Sequence, residues 1–469
     1  MTDLISDEVV LFIDEATITR KVQHRAEERI QINVLSIRGL EQETTMSKLI
    51  NLPFASVVWR EFKFLFVAGG TYGFYHTKAW TAVTVINYFV MYSTMLFTMS
   101  VLVYTIYLLR DNIGYMSQAL HALIISFVAM TASSTLTINR YKVEKFIVFF
   151  EDPWSLCEYS RNDFFEKLLK ETQKKKNRLI VTWFLIYGIC GVIGLLQSVI
   201  NTVCGTQSEL TNVNGAWLIL HFIMWWPEDI TASTGAWIRA FLVQSLYVYF
   251  CVMMVTASVV FAFTGMEQIL DQVKLLIYGI KTLDRRAKDM FQQKFPGSDM
   301  KYMEKEYDDC YYECLVQNVK HHHKMIKWIE TLLDMASLPI AVPFYGGAVL
   351  LGMAMITIME KDDPRVGPKF LAASLAFSEA YNMYLLCDVG QRLENLSQEL
   401  YDTLYFSRWH TRSPKVKKTI QIMRVGCQKP YLFTAGKLLV LNMSLFADLV
   451  NSAYSIFNLK SASDNLENK

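Results

Sequence analysis

The stretch Ala79–Leu109, AWTAVTVINYFVMYSTMLFTMSVLVYTIYLL, decides the fold. Nothing between Lys78 and Arg110 is charged. About 20 apolar residues in a helix cross a hydrocarbon core of about 30 Å, so this run spans a bilayer with some tilt. Six more runs of the same kind follow: Ile113–Asn139, Leu179–Gly205, Ala236–Met266, Met335–Met359, Phe370–Cys387 and Tyr431–Leu459. The sixth of the seven is the shortest and is interrupted by Glu379. A further stretch, Val213–Pro227, has only 15 residues and closes on Trp225, Trp226 and Pro227. Paired tryptophans suit the headgroup level, so this segment is expected to be a loop folded over the outer leaflet. The expected fold class is therefore all-α, with seven transmembrane helices.

Composition agrees. Of 469 residues, 52% are apolar and 19% charged, and the mean hydropathy is +0.21; a soluble domain carries about a quarter charged residues. The net charge of +2 excludes a nucleic-acid binder driven by excess cations. Eight cysteines, at 157, 190, 204, 251, 310, 314, 387 and 427, form no dense framework and read as reduced thiols. Acidic residues Asp3, Asp7, Glu8, Asp14 and Glu15 occupy the start of the chain, so a cleavable signal is not expected.

Lys and Arg fix the expected orientation. The segments before Ala79 and over 140–178, 267–330 and 388–430 hold 38 of them, against six in the segments on the other side. Positive residues favour the cytoplasmic side, which puts the amino terminus inside and the carboxyl terminus outside. That orientation is opposite to a G-protein-coupled receptor, and no Asp-Arg-Tyr follows the third span. Between spans, 267–330 is predicted helical from Ile269, Val273, Leu276 and Ile277, with a break at Phe295-Pro296-Gly297 and a second helix after Ser298. Residues Val389–Gln428 behave alike, with a turn at Trp409 and Ser413-Pro414 before a short helix from Lys415. The first fifty residues and the tail from Ser461 are expected to be weakly ordered.

Ionisable groups inside spans are costly and mark pathways. Asp448, near the middle of the seventh run, favours cations if that helix lines a pore, or else bonds to neighbouring helices. Lys437 in the same run is expected to snorkel to the inner interface. Glu379 forms a polar and aromatic stripe with Tyr381 and Tyr384 and has access to any cavity beside the sixth span. Cys310, Cys314 and His321 share roughly one helix face, but without a Cys-x-x-Cys the expected reading is a solvated cytoplasmic face and no metal. No Walker loop, Gly-x-Ser-x-Gly or His-Glu-x-x-His occurs, so neither an enzyme nor a cofactor is expected. Aromatics reach 13%; most must pack between helices or against lipid, and a subset suits an apolar pocket for a small uncharged ligand.

From Leu400 the sequence reads LYDTLYFSRWHTRSPKVKKTIQIMRVGCQKPYLFTAGKLLVLNMSLFADLVNSAYSIFNLK. Tyr405 with Trp409, Ser413 before a basic helix, Gln428 and Pro430, Thr434-Ala435-Gly436-Lys437, Phe446 and the closing Tyr454-Ser455-x-Phe457 resemble the carboxyl-terminal signature of insect odorant receptors. Trp226-Pro227 followed by Gln244 resembles that family more loosely. The resemblance implies an odorant-gated, non-selective cation channel of four subunits, with seventh helices lining one pore and a cytoplasmic anchor below the membrane. By position, Leu459 is then the expected gate. Asn458, Ser455 and Asp448 are its expected pore-facing neighbours. A ligand pocket between spans two, three, four and six would draw on Tyr115, Ala122, Ile125, Ser126, Tyr187, Gly191, Phe241, Tyr247, Phe377 and Tyr381.

The resemblance divides the chain into a cytoplasmic amino-terminal region (1–78), spans one to four with an outer ligand pocket (79–266) and a cytoplasmic helical anchor segment (267–334). Spans five and six (335–387), a second anchor segment (388–430), a pore-lining seventh span (431–459) and an extracellular tail (460–469) complete it. Implied partners are a small volatile organic ligand, permeating cations, membrane lipid and further subunits, as a homotetramer or with a co-receptor. The implied location is the plasma membrane of a sensory-neuron dendrite. The alternative within the same family is the obligate co-receptor subunit; one from a different class is a gustatory-type receptor channel or a transporter, the latter without the inverted repeats and broken helices usual there.

Overall fold

The charge-free run Ala79–Leu109 is helical almost from end to end, as α1 (Lys78–Leu108). A computed structural model describes residues 78–151, 163–203 and 212–467 except 219 and 362, together with Gly69. These lie in the unit Val57–Lys469; the first fifty residues, for which weak order is expected, lie outside the described residues. After α1 come α2 (Ile113–Ile138), α3 (Arg140–Glu151) and α4 (Asp163–Val203). A small antiparallel sheet follows: β1 (Asn212–Val213), β2 (Ala216–Trp217) and β3 (Met224–Trp225), in that order. Then come α5 (Thr234–Lys281), α6 (Leu283–Lys294), α7 (Glu304–Met359), α8 (Gly367–Phe406), a 3-10 turn at Trp409–Thr411 and α9 (Pro414–Gly426). A hairpin of β4 (Thr434–Ala435) and β5 (Leu439–Val440) leads into α10 (Met443–Glu467).

Three helices run far beyond their apolar stretches. Helix α5 is 48 residues long, α7 56 and α8 40. The reason lies in the pattern: Ile269, Val273, Leu276 and Ile277 keep helical spacing below Met266, and all four are buried. Helix α6 then stops at the expected Phe295-Pro296-Gly297, where Gly297 adopts φ 76°. Helix α7 contains Pro339 and Pro343, which lack the N–H that would bond the carbonyl four residues back.

One end of the bundle, the upper end, gathers the α1–α2 turn, the small sheet and the loop that carries Asp363 and Arg365. At the lower end, α6 and α9 close against the first half of α7 through Leu283, Phe291, Tyr311, Leu315, Val416 and Ile420. Cys310 and Cys314 belong to this apolar cluster, and His321 is fully buried with a ring nitrogen 2.9 Å from Gln272 Oε1. That face is therefore packed, contrary to the solvated reading, because α5, α6 and α9 cover it. The six described cysteines are free thiols.

The seventh predicted span is corrected. Residues 434–440 form a hairpin instead of helix, because Gly436 and Lys437 adopt φ 63° and 61°, a type I′ turn closed by Leu438 N–H donating to the Ala435 carbonyl (3.2 Å). Gly436 N–H donates to the Ser337 carbonyl at 3.0 Å, fastening the hairpin to α7. Lys437 thus sits on a turn and does not snorkel from a helix. Helix α10 begins at Met443 and continues through the tail to Glu467. Among the described residues, α1, α2, α4, α5 and α7 are long and apolar enough to cross a membrane. Helices α8 and α10 are not in that set, and each is more polar: α8 carries Lys369, Glu379 and Asp388, and α10 carries Asp448, Lys460 and Asp464.

Candidate functional site

Where α2, α4, α5 and α8 meet against α7, beneath the small sheet, the packing leaves a cavity of about 160 Å³. Ala122 and Ile125 come from α2, Tyr187, Gly191 and Gly194 from α4, Tyr247, Cys251 and Val252 from α5, and Leu371, Glu379 and Asn382 from α8. Small residues make the space. A Cβ at Gly191 would sit 3.6 Å from Val252, an ordinary contact, so the glycine there leaves volume and does not relieve a clash. Tyr247 is fixed across the wall, its hydroxyl 2.7 Å from Ser126 Oγ and donating to the Ala122 carbonyl at 3.0 Å.

The sheet begins as a two-residue hairpin. Asn214 (φ 49°) and Gly215 (φ 90°) connect the paired Val213 and Ala216. Between β2 and β3 the chain lays His221 and Phe222 across the cavity. Buried Gln244 grips Phe222 from both sides, its Oε1 accepting from Phe222 N–H (3.1 Å) and its Nε2 donating to the Phe222 carbonyl (3.3 Å). Gln197 Nε2 donates to the His221 carbonyl, and the His221 ring lies 3.3 Å from Ser245 Oγ. Burial lowers His221 to about 4, so the imidazole is neutral at neutral pH.

A buried ion pair closes the roof. Arg365, 6% exposed, donates to both Asp363 oxygens (2.9 and 2.7 Å), to the Leu218 carbonyl (2.9 Å) and to Gln118 Oε1 (3.3 Å). Burial pushes the Asp363 carboxyl up, but the hydrogen bonds and charge of Arg365 outweigh it and hold the group below the usual carboxylate range. The guanidinium also lies 5.6 Å from the Tyr115 ring centroid.

Of the ten pocket residues expected from the sequence, Ala122, Ile125, Tyr187, Gly191 and Tyr247 line this cavity. The other five lie outside its lining. Tyr115 belongs to the roof cluster with Leu109, Leu218 and Ile223, Ser126 stands behind Tyr247, and Phe241 packs on the His221 ring at 4.4 Å. Tyr381 leans on Trp183 at 5.9 Å, and Phe377 is 65% exposed on the bundle surface. Glu379, singled out in the sequence for cavity access, does line it. Gln197, His221, Asn382 and the Asp363–Arg365 pair were not readable from any local motif. Gln244 was noted only through the resemblance.

On α10, Asp448, Ser455 and Leu459 recur at spacings of seven and four, one line along the helix. They and Asn458 are exposed in the single chain, Leu459 at 72%. The opposite side packs on α7 and α8, with Phe446 edge-on to Tyr384 at 5.7 Å. No group of three or more His, Cys, Asp or Glu side chains among the described residues converges as a metal site.

Residues 112–454 match the family model described as 7tm odorant receptor. Odorant receptor 2a of Drosophila melanogaster is 23% identical over 149 residues, 32% of this chain and 38% of that protein. The odorant receptor coreceptor of Harpegnathos saltator is 27% identical over 139 residues, 28% of this chain and 29% of that protein. The matched stretches thus span less than two fifths of these relatives. The solved structure of the insect olfactory receptor OR5 from Machilis hrabei in complex with eugenol superposes with a TM-score of 0.68 at 16% identity, covering 88% of this chain and 98% of that one. At that identity the likeness concerns the fold.

Proposed function

Because the chain belongs to the insect odorant receptor family, we propose that it is an odorant receptor acting as a ligand-gated, non-selective cation channel. A small volatile compound binds the cavity between α2, α4, α5 and α8 and opens a central pore lined by α10. The amino terminus is cytoplasmic and the carboxyl terminus extracellular, with α8 and α10 as the sixth and seventh crossings. Their polarity fits helices that face protein or water rather than lipid. The upper end then faces outward and α6, α9 and the lower halves of α5, α7 and α8 form the cytoplasmic anchor. The working protein is a tetramer, alone or with a co-receptor, in the plasma membrane of a sensory dendrite.

The observation that carries this reading is the roofed, mostly apolar cavity at the meeting of those four helices. Such a space recognises shape and dispersion, which suits a small volatile ligand. Gating requires that the ligand bind the open state better than the closed one. The exposed line of Asp448, Ser455 and Leu459 supports a pore-facing role, since four leucines around one axis keep it dry when closed.

The test is whole-cell current in a cell line expressing the chain alone and with a co-receptor, challenged with a broad panel of volatiles. A reversible evoked cation current is expected, abolished or weakened by Gly191→Leu, which fills the cavity. Leu459→Ser is expected to raise the resting current. Silence in both settings, with the protein at the surface, overturns the reading. The partial match to a co-receptor favours one second reading, a pore-supplying subunit; rescue of another odorant receptor by this chain would reveal it.

A further inference from the structure

Two hydrogen-bond acceptors in the cavity wall have nothing to accept from. Glu379 and Asn382 stand at i and i+3 on α8, so they share a helix face, and both line the cavity. Glu379 Oε1 and Asn382 Oδ1 are buried and without a hydrogen-bond partner. Of the other polar side chains of the lining, Gln118 is engaged with Asp363 and Arg365, Gln197 with the His221 carbonyl and Ser378 with the Leu375 carbonyl at 2.9 Å, while His221 places one ring nitrogen 3.3 Å from Ser245 Oγ and leaves only Nδ1 without a partner. A buried acceptor that has given up water is normally satisfied by a protein group, and an unsatisfied pair at one spot in a ligand-sized space calls for a donor from elsewhere. The remaining wall is apolar, and a cavity of about 150 Å³ is known to admit benzene.

We propose that Glu379 and Asn382 receive the donor group of the ligand, so that this chain prefers compact volatiles of one ring or a short chain that carry an O–H or N–H: alcohols, phenols or amines. The inference rests on the cavity being the odorant site. An apolar isostere fills the same volume but leaves both acceptors unsatisfied, and a site built around a hydrogen bond rejects the analogue that lacks it. The alcohol and the amine share this donor chemistry and differ in charge; the carboxyl of Glu379 is the group that distinguishes them.

The test compares isosteric triads, such as benzyl alcohol, benzylamine and ethylbenzene, on cells expressing the full chain with a co-receptor. Donor-bearing members are expected to act at concentrations about tenfold below the hydrocarbon. The size-preserving Glu379→Gln is expected to keep the alcohol's advantage and lose the amine's. Glu379→Leu combined with Asn382→Leu is expected to shrink both advantages to less than about threefold. Hydrocarbons as potent as their donor partners in the unaltered chain overturn the proposal, as does an advantage that survives the double substitution. So does a chain that ignores every triad yet answers to volatiles without a donor. If Gly191→Leu leaves all responses unchanged, or no volatile evokes any current, it is the cavity or the receptor reading that has failed, not the donor preference within it.

Discussion

The two ends of the bundle are held by different physics. At the lower end one apolar cluster runs through α4, α5, α7, α8 and the hairpin before α10, with Val273, Leu276, Leu393, Leu400 and Phe433 fully buried. Ion pairs stitch its margin, as where Arg392 reaches Glu267 at 2.5 Å and Asp388 at 2.9 Å, or where Arg412 reaches Asp284 at 2.6 Å over the Tyr311 ring. At the upper end the apolar clusters are small and separate, a cavity interrupts them, and a few buried polar contacts hold the roof. Packing spread over many residues resists local opening, whereas a roof on one ion pair and three glutamines opens when one of them fails. The upper end can therefore open locally while the lower end stays assembled.

The largest effect that would sharpen this contrast is Arg365→Ala. It strands Asp363 as a buried, unpaired carboxylate and bares the Leu218 carbonyl, at an expected cost of about 3–5 kcal/mol. Hydrogen exchange should then rise over 212–233 while α6 and α9 keep their protection; equal loss at both ends would break the comparison. Next, Leu400→Ala at the lower end is expected to cost about 3 kcal/mol through the cavity it leaves. It should lower the melting temperature of the whole chain, since the cluster it belongs to is continuous. A roof exchanging no faster than before would fit the contrast only if global unfolding, not local opening, had changed.

Acidity gives a smaller effect confined to the roof. Opened, the His221 imidazole takes up a proton near 6.5; buried, only near 4. Between those values the open form binds the extra proton, so closure is fully stable above about pH 6.5 and weakens as pH falls toward 4. From pH 7.5 to 5 the expected loss is about 2 kcal/mol, read as faster exchange over 212–233. His221→Gln should remove that dependence. Asp363 does not titrate in this window, because its carboxyl lies below the usual range. Smallest of all, Lys281→Ala removes a half-exposed pair with Glu399 at the lower margin and is expected to cost less than about 1 kcal/mol in a thermal melt.

Legibility in the sequence followed the same divide. The long helices of the lower end were readable because Ile269, Val273, Leu276 and Ile277 carry the helical period past the apolar run, and Phe295-Pro296-Gly297 ends it. The hairpin before α10 was not, since 431–459 is continuously apolar enough to read as one span, and only Gly436-Lys437 adopting positive φ breaks it. At the roof, Asn214-Gly215 is a plain hairpin signal, outweighed in the reading by Trp225 and Trp226. Half of the expected pocket residues reached the cavity because the resemblance placed the pocket by region, with no local motif to say which side chain of each span turns inward. Gln197, His221 and Arg365 come from three distant segments, and what ties them into the roof is hydrogen bonds that no spacing encodes.

Helix α7 belongs to both ends. Fifty-six residues at about 1.5 Å each make a rod of roughly 84 Å, and its Pro339 and Pro343 each remove one rung of the backbone ladder. That weakened section lies where Pro339 and Ile340 touch the cavity and where the Ser337 carbonyl holds the hairpin that leads to α10. A rod with one thin section bends there first. If the cavity is the ligand site proposed above, its occupant acts at the joint of a lever whose short arm leads to the roof and whose fulcrum is already tethered to α10.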